Sequence, residues 1–416
     1  MAIPEGWRIL PILEVVDLPS GQVDPTSPPY RDWPLLAPNH IISGSGRWTQ
    51  IETAEAQGAI SGKYVFQRGD VVYSKIRPYL RKATVVNQAG LCSADMYPLR
   101  SRPDLVSEFL LATLLGDDFT KFATSVSART GIPKINREEL AEYRITLPPL
   151  PEQKKIAAIL SSVDETIAKT ESLIAQLQIV KKAMMEQLLT KGMPGRHTRF
   201  KQTEVGEIPE EWEVCRLPMI AEYQNGKAFP SNEYRSEGVL LVRPGNMHAN
   251  GWLSWDDKHT TFLSQTFWDE LPSFRVYPGE LLMNLTAQSL DDEFLGRVCE
   301  VPPGRPCLLN QRIARITPTR SSARYLFWGL RGPHFRKHVD RIPQGSKVQH
   351  LYNRDLDEAL LALPDTEEQR AIASLLDSIQ ERLVNETATL LPLRAVKSAL
   401  SSSLLSGEIR VAAEVA

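Results

Sequence analysis

The chain is written twice, and this constrains its fold more than any other feature. Residues 147–164 read Leu-Pro-Pro-Leu-Pro-Glu-Gln-Lys-Lys-Ile-Ala-Ala-Ile-Leu-Ser-Ser-Val-Asp; residues 363–380 read Leu-Pro-Asp-Thr-Glu-Glu-Gln-Arg-Ala-Ile-Ala-Ser-Leu-Leu-Asp-Ser-Ile-Gln. Gln153 matches Gln369, an offset of 216 (369 − 153), and the same offset pairs Ile156 with Ile372 and Leu160 with Leu376. Solenoid repeats have periods of roughly 20–50 residues. An offset this long marks instead a duplicated domain-plus-helix unit, in keeping with the two or three domains expected for 416 residues.

The repeat continues as a helix pattern. Ile156, Leu160, Val163, Ile167, Thr170, Ile174, Leu177, Lys181, Met184 and Leu188 follow steps of four and three, the seam of a coiled coil. The offset carries them onto Ile372, Leu376, Ile379, Leu383, Glu386, Leu390, Leu393, Lys397, Leu400 and Leu404, so the polar interruptions coincide as Thr170 with Glu386 and Lys181 with Lys397. Two long helices are expected, over 148–192 and 363–410. Each is built to pack against a partner helix, most simply the other. The pairing residues are Ile156, Leu160, Val163, Ile167, Ile174 and Leu177 with Ile372, Leu376, Ile379, Leu383, Leu390 and Leu400. Pro151 suits a first helical turn, Thr366-x-x-Gln369 reads as a capping box, and Gly192 and Gly407 read as C-terminal stops. Pro392 should kink or interrupt the second helix.

The stretches before the helices, 1–147 and 207–362, read as globular domains of similar size. Each opens on a tryptophan (Trp7, Trp212), and each carries a Gly-acid-aliphatic-aliphatic turn and strand, Gly69-Asp-Val-Val and Gly279-Glu-Leu-Leu. Short β-rich runs such as Tyr64–Phe66 and Val239–Val242 alternate with Gly, Pro and Asn turns, with helical stretches between them. The fold class is α+β: two domains with small mixed sheets, two long helices and an internal pseudo-two-fold repeat. Residues 193–206 read as a basic Gly/Pro linker.

Composition excludes other classes. Hydrophobic residues are 42% and charged residues 24%, ordinary globular usage, which argues against wholesale disorder. No apolar run is long enough for a membrane helix, and the start lacks the basic head and apolar core of a secretory signal. Four separated cysteines argue against a disulfide framework or zinc ribbon and suit a reducing cytoplasm. Net charge is −2, so any signal of a nucleic-acid partner must be local.

These residues resemble the specificity subunit of type I restriction–modification systems. The resemblance rests on Leu-Pro-Pro-Leu-Pro-Glu-Gln-x-x-Ile-Ala at 147–157 with its degenerate copy at 363–373, on Gly-Asp-Val-Val-Tyr-Ser-Lys-Ile-Arg-Pro-Tyr-Leu-Arg-Lys at 69–82, and on Glu-Ile-Pro-Glu-Glu-Trp at 207–212. It covers essentially the whole chain. It implies two target-recognition domains, each reading half of a split double-stranded DNA target, held apart by an antiparallel pair of long helices that also dock two methyltransferase subunits. Restriction/translocase subunits join in the full complex, in a bacterial or archaeal cytoplasm. S-adenosylmethionine, ATP and Mg belong to those partners; this chain is expected to be non-catalytic and to bind no cofactor or metal. One loop departs between copies: Gly131 to Ile135 in the first is two residues shorter than Gly345 to Leu351 in the second.

DNA affinity comes mainly from Lys and Arg against phosphate, whereas sequence is read at base edges. Residues 303–350 hold Arg305, Arg312, Arg315, Arg320, Arg324, Arg331, Arg336, Lys337, Arg341 and Lys347 against one acid, Asp340, a local balance of 10 − 1 = +9. A charge run is usually a solvated helix face. Here aromatic residues and the loop holding Gln344, Ser346 and Lys347 interleave with it, and DNA contact is expected of that loop and of Arg312, Arg336 and Lys337. In the first domain the candidates are Ser74, Lys75, Arg77, Arg81 and Lys82, with Arg129, Thr130 and Lys134 on a second loop. Asn246, Asn284 and Gln288 suit adenine edges, although each alone is more often a turn residue.

Two rival readings compete. Ser27-Pro-Pro-Tyr30 resembles the motif of amino-methyltransferases, which would make the chain a self-contained enzyme using S-adenosylmethionine. It lacks the Gly-rich strand–turn–helix that such a cofactor needs and sits in a loop-like run. The second rival is a protein-binding coiled-coil adaptor. His334-x-x-x-His338 has no evident third metal ligand, Asp291-Asp-Glu293 has no matching acid-x-Lys element, and no phosphate-cradling Gly-x-x-x-x-Gly-Lys loop exists.

Overall fold

The computed structural model describes residues 4–127, 131–289, 293–342 and 348–411. The chain forms two compact units, Met1–Ser172 with Ala388–Ala416, and Leu173–Thr387. Each unit thus takes a stretch of both long helices, and the boundaries cut across the sequence repeat.

The first half contains β1 (Arg8–Pro11), β2 (Val16–Asp17), β3 (Leu35–Leu36), β4 (Tyr64–Phe66), β5 (Val71–Ser74), β6 (Ala83–Val85), β7 (Gly90–Cys92) and β8 (Met96–Ser101). There follow α1 (Ser107–Leu115), α2 (Asp117–Val126), α3 (Arg137–Glu142), β9 (Arg144–Leu147) and the 42-residue helix α4 (Leu150–Lys191). The second half contains β10 (Phe200–Thr203), β11 (Gly206–Pro209), β12 (Glu213–Arg216), β13 (Ala221–Asn225), β14 (Val239–Val242), β15 (Phe262–Leu263), α5 (Gln265–Glu270) and β16 (Arg275–Val276). Next come β17 (Leu281–Asn284), β18 (Thr286–Ala287), β19 (Val298–Glu300), β20 (Cys307–Leu309), β21 (Ile313–Pro318), α6 (Ala323–Gly329) and α7 (Pro333–Arg341). It closes with β22 (Gln349–His350), α8 (Asn353–Asp357), β23 (Leu360–Leu363) and the 41-residue helix α9 (Thr366–Ser406).

The duplication is explicit in the sheets. The order β2-β8-β5-β6 in the first unit matches β13-β21-β17-β19 in the second. The parallel pair β3–β7 matches β14–β20, and the antiparallel closing pair β1–β9 matches β12–β23. Successive side chains of a strand point to opposite faces. Val71 and Tyr73 accordingly enter one core and Val72 another, as Leu281 and Met283 do against Leu282. The Gly-acid turn has a structural reason in both copies. Gly69 and Gly279 take φ of +90° and +87°, values that only glycine adopts without strain. The acid that follows ties the turn to the sheet. Asp70 accepts the Gln67 N–H and two bonds of 2.9 Å from Arg100; Glu280 accepts the Tyr277 N–H and faces Arg315.

The long helices meet antiparallel within each unit. In the first, Ile156 and Leu160 share a core with Leu400 and Leu404, and Asp164 pairs with Lys397 at 2.5 Å and Glu171 with Arg394 at 2.9 Å. In the second, Met184 and Leu188 share a core with Ile372 and Leu376, and Lys181 donates to Gln380 at 2.9 Å. The other predicted seam residues, Val163, Ile167, Ile174, Leu177, Ile379, Leu383 and Leu390, are all buried or half-buried.

The Glu-Gln signature latches each helix to its domain. Trp7 donates its indole N–H to Glu152 at 2.9 Å, and Trp212 donates to Glu368 at 2.9 Å. Gln153 accepts the Val106 N–H and donates to the Asp104 and Pro148 carbonyls; Gln369 accepts the Ser322 N–H and donates to the Pro364 carbonyl. Each latch is closed by the residues that follow the other helix. Arg410 forks onto Glu152, while His197 and Arg196 engage Glu368.

Three expectations are corrected. The cap of α9 is Asp365, whose carboxylate takes the Glu368 N–H at 2.9 Å, rather than Thr366 in a box with Gln369, whose amide serves the latch. Helix α9 is not interrupted at Pro392, which sits at an exposed position where water can satisfy the freed carbonyl. Residues 193–206 are not a loose linker: β10 pairs with β11, and the His197 side chain is buried between Glu211 and Glu368. Gly192 and Gly407 do end their helices with left-handed backbone, φ +75° and +76°.

Candidate nucleic-acid interface

At one end of each four-stranded sheet the middle strand runs past its edge and is joined by the return loop. In the first unit Lys75 N–H donates to Asp95 O at 2.9 Å, and Ile135 N–H donates to Lys75 O at 2.9 Å. In the second, Leu285 N–H donates to Arg312 O and Leu351 N–H to Leu285 O, both at 2.9 Å. The same three-strand rung is built twice, as Asp95–Lys75–Ile135 and Arg312–Leu285–Leu351. Beyond it Ile76 bridges Lys134, and Thr286 pairs with His350 and Ala287 with Gln349, giving two short antiparallel ribbons. Ile135 and Leu351 are buried and anchor the return loops, so the unequal loops noted in the sequence converge on equivalent anchors.

Arg77 and Lys134 are exposed beside one another on the first ribbon. Arg77 is held in left-handed backbone, φ +48°, by its N–H donating to Pro133 O at 2.7 Å, a strained conformation for a side-chain-bearing residue. Lys75 is half-buried with its ammonium 5.2 Å from the Tyr97 ring centre. Lys82 donates to Pro38 O, and Arg81 is tied to Asp117 at 2.7 Å, so these two brace the loop. On the second ribbon Gln288 and Arg312 are exposed, and His350 stacks on Tyr352 at 5.7 Å with the Arg354 guanidinium 5.3 Å from the Tyr352 ring. Arg129, Thr130, Gln344, Ser346 and Lys347 lie outside the described residues.

Other expectations fail on burial. Ser74 is buried and its hydroxyl bonds the Ile76 carbonyl. Asn246 is buried, accepting the Arg243 N–H and donating to the Ser254 and His259 carbonyls; Asn284 donates to the Thr286 and Phe294 carbonyls. A buried amide whose groups are already bonded in the fold is not free for a base edge. Arg336 is drawn inward to the Leu295 carbonyl and Asp340. Much of the 303–350 charge is likewise internal. Arg315 faces Glu280 as Arg100 faces Asp70, Arg320 pairs with Glu213, and Arg324 pairs with Glu300 and Asp377. Arg331 reaches inward to the Val298 and Ala249 carbonyls, its pKa lowered by desolvation. Arg312, Lys337 and Arg341 stay exposed, with no ion partner among the described residues.

Residues missed in the sequence are His350, Tyr352, Arg354 and Lys121. The 216 offset carries Lys121 onto Lys337, and each is exposed on a helix whose buried phenylalanine, Phe119 or Phe335, faces the core. Extending the offset beyond the long helices finds Lys121. The decoys dissolve into local structure. Asp24 takes the hydroxyls of Thr26 and Ser27 ahead of the Tyr30–Asp32 turn, and His338 donates to the Asp355 carbonyl at 2.6 Å. All four cysteines are free and buried, and burial pushes their thiols up.

Duplicated units with matching sheets, matching rungs and differing ribbons define a two-domain recognition scaffold. Residues 4–178 match the model of the type I restriction modification DNA specificity domain. Over 331 residues the chain is 29% identical to the type I restriction enzyme MjaVIII specificity subunit of Methanocaldococcus jannaschii, covering 78% of this chain and 76% of that one. It is 26% identical over 427 residues to the putative MjaX specificity subunit of the same organism, covering 98% and 95%. A solved chain from a study of complex assembly in a type I restriction–modification system shares the fold, with a TM-score of 0.59 at 22% identity over 98% of this chain and 100% of that one. Along most of its length the chain is similar to the specificity subunits of type I restriction–modification systems. It is a non-catalytic, DNA-sequence-recognition subunit.

Proposed function

We propose that each ribbon reads one half of a bipartite double-stranded DNA target, and that the helix pair docks two methyltransferase subunits, with restriction/translocase subunits joining them. In this reading the partners use S-adenosylmethionine to methylate adenine, and ATP with Mg to translocate and cut, in the cytoplasm of a bacterium or archaeon. The observation that carries it is the rung built twice with one backbone plan and two sets of exposed side chains. A common frame with Arg77 and Lys134 in one copy and Gln288, Arg312 and His350 in the other suits two unlike half-sites. A two-stranded ribbon also fits the major groove, where every base pair is distinguishable. No described helix is long and apolar enough to cross a membrane. Methylation mapping in a host carrying this chain with its methyltransferase tests the proposal. The expected result is one split adenine-containing motif; an uninterrupted motif, or none, would overturn it.

A further inference from the structure

Ile132 and Val348 are exposed aliphatic side chains, 61% and 39% accessible, and the 216 offset carries one onto the other. Each stands two residues before the ribbon residue that pairs with the strand exit, Lys134 opposite Ile76 and His350 opposite Thr286. Single exposed aliphatics are common and by themselves need no explanation. These two hold the same register in loops that otherwise differ in length and sequence. Their neighbours are polar: Arg77 N–H bonds the carbonyl of Pro133, next to Ile132, while Gln349 and His350 follow Val348, and the outer strand of the rung carries Asp95 in the first copy and Arg312 in the second. Both are β-branched, with χ1 already restricted, so ordering them against a partner loses little entropy. A small apolar knob on an otherwise polar, groove-sized ribbon suits the one apolar group that the major groove offers, the thymine 5-methyl.

We infer that Ile132 and Val348 each contact a thymine methyl group, one per half-site, and so contribute to base selection. This rests on the DNA-reading proposal above. The test uses the full chain and a pool of random duplexes, followed by resynthesis of the selected duplex with uracil replacing thymine one position at a time. Uracil keeps the pairing and removes only the methyl. One thymine in each half-site should weaken binding about fourfold when replaced, the worth of one buried methyl. Ile132→Ala should abolish that sensitivity in one half-site and leave it in the other, Val348→Ala the reverse, and Ile132→Val should retain it. A recovered consensus with no uracil-sensitive thymine, or with sensitivity unchanged in both alanine variants, would overturn the inference and leave DNA reading standing. Recovery of no consensus by the wild-type chain would overturn both.

Discussion

Glu152 accepts the Trp7 indole while Arg410 forks onto it from the far end of the chain. Burial pushes its carboxyl up, but the Arg410 and Trp7 hydrogen bonds outweigh that and hold it below the ordinary 4.5. A carboxylate with a lowered folded pKa stabilises above its unfolded pKa, and that contribution is lost as pH falls through the folded value. Glu152→Gln should therefore lower stability by about 1–3 kcal/mol near neutrality. The gap to wild type should close in acid, as read by urea unfolding across pH; an equal gap throughout would show that the charge is not involved. For DNA, Lys121→Ala with Lys337→Ala should weaken all duplexes alike and flatten the salt slope by about one for each phosphate no longer neutralised. Arg336→Ala should lower stability and leave that slope unchanged; the opposite pattern would contradict the division between internal and free cations. That division was not legible in the sequence. Counting charges over 303–350 cannot tell which guanidinium meets a carbonyl or an acid 40 residues away, nor that Asn246 and Asn284 turn their amides inward.

The long helices were legible because an exact period survives in the sequence, and every predicted seam position is buried or half-buried. Less legible was what the shared polar interruption does. Lys397 faces Asp164, whereas Lys181 faces Gln380, and the 216 offset relates both members of the two pairs. Polar seam positions fix register at some expense of stability. Burial, helped by Arg331 and opposed by Glu293, lowers Lys181 from 10.5 to about 8. Below about pH 8 the folded protein bears a desolvated ammonium, so this residue makes stability rise with pH between about 8 and 10.5. Replacing the pair (Lys181→Leu with Gln380→Leu) should stabilise by about 1–3 kcal/mol at neutral pH and remove that rise. Thermal unfolding of wild type and double variant across pH 7–10.5 checks it; a destabilised variant would mean that the Lys181–Gln380 bond outweighs desolvation. The capping of α9 is ambiguous in the sequence for a related reason. Thr366 and Asp365 are both good caps, and only the structure shows Gln369 already committed to the domain it latches.

Across the whole chain, the repeat in the sequence and the compact units are out of phase. The sequence repeats as domain then helix, but the first unit completes its core with Leu400 and Leu404 and closes its latch with Arg410, all from the far half. A sequence pattern shows which face of a helix is apolar and leaves open which stretch will cover it. The covering stretch can nevertheless be replaced from within the first half, because the offset carries Lys397, Leu400 and Leu404 onto Lys181, Met184 and Leu188. A fragment ending at residue 206 therefore contains a domain that needs a second helix segment and a segment able to serve a second domain. Two copies can satisfy each other, with Lys181 of one facing Asp164 of the other as Lys397 does in the intact chain. The fragment should sediment as a folded dimer. Asp164→Lys should abolish the dimer by setting like charges opposite in a half-buried seam, where an unpaired charge costs several kcal/mol. The single variant in the full chain should be milder if Lys397 can swing toward solvent, and adding Lys397→Asp should restore it. A folded, stable monomer of residues 1–206 would show that the first domain does not depend on a borrowed helix segment.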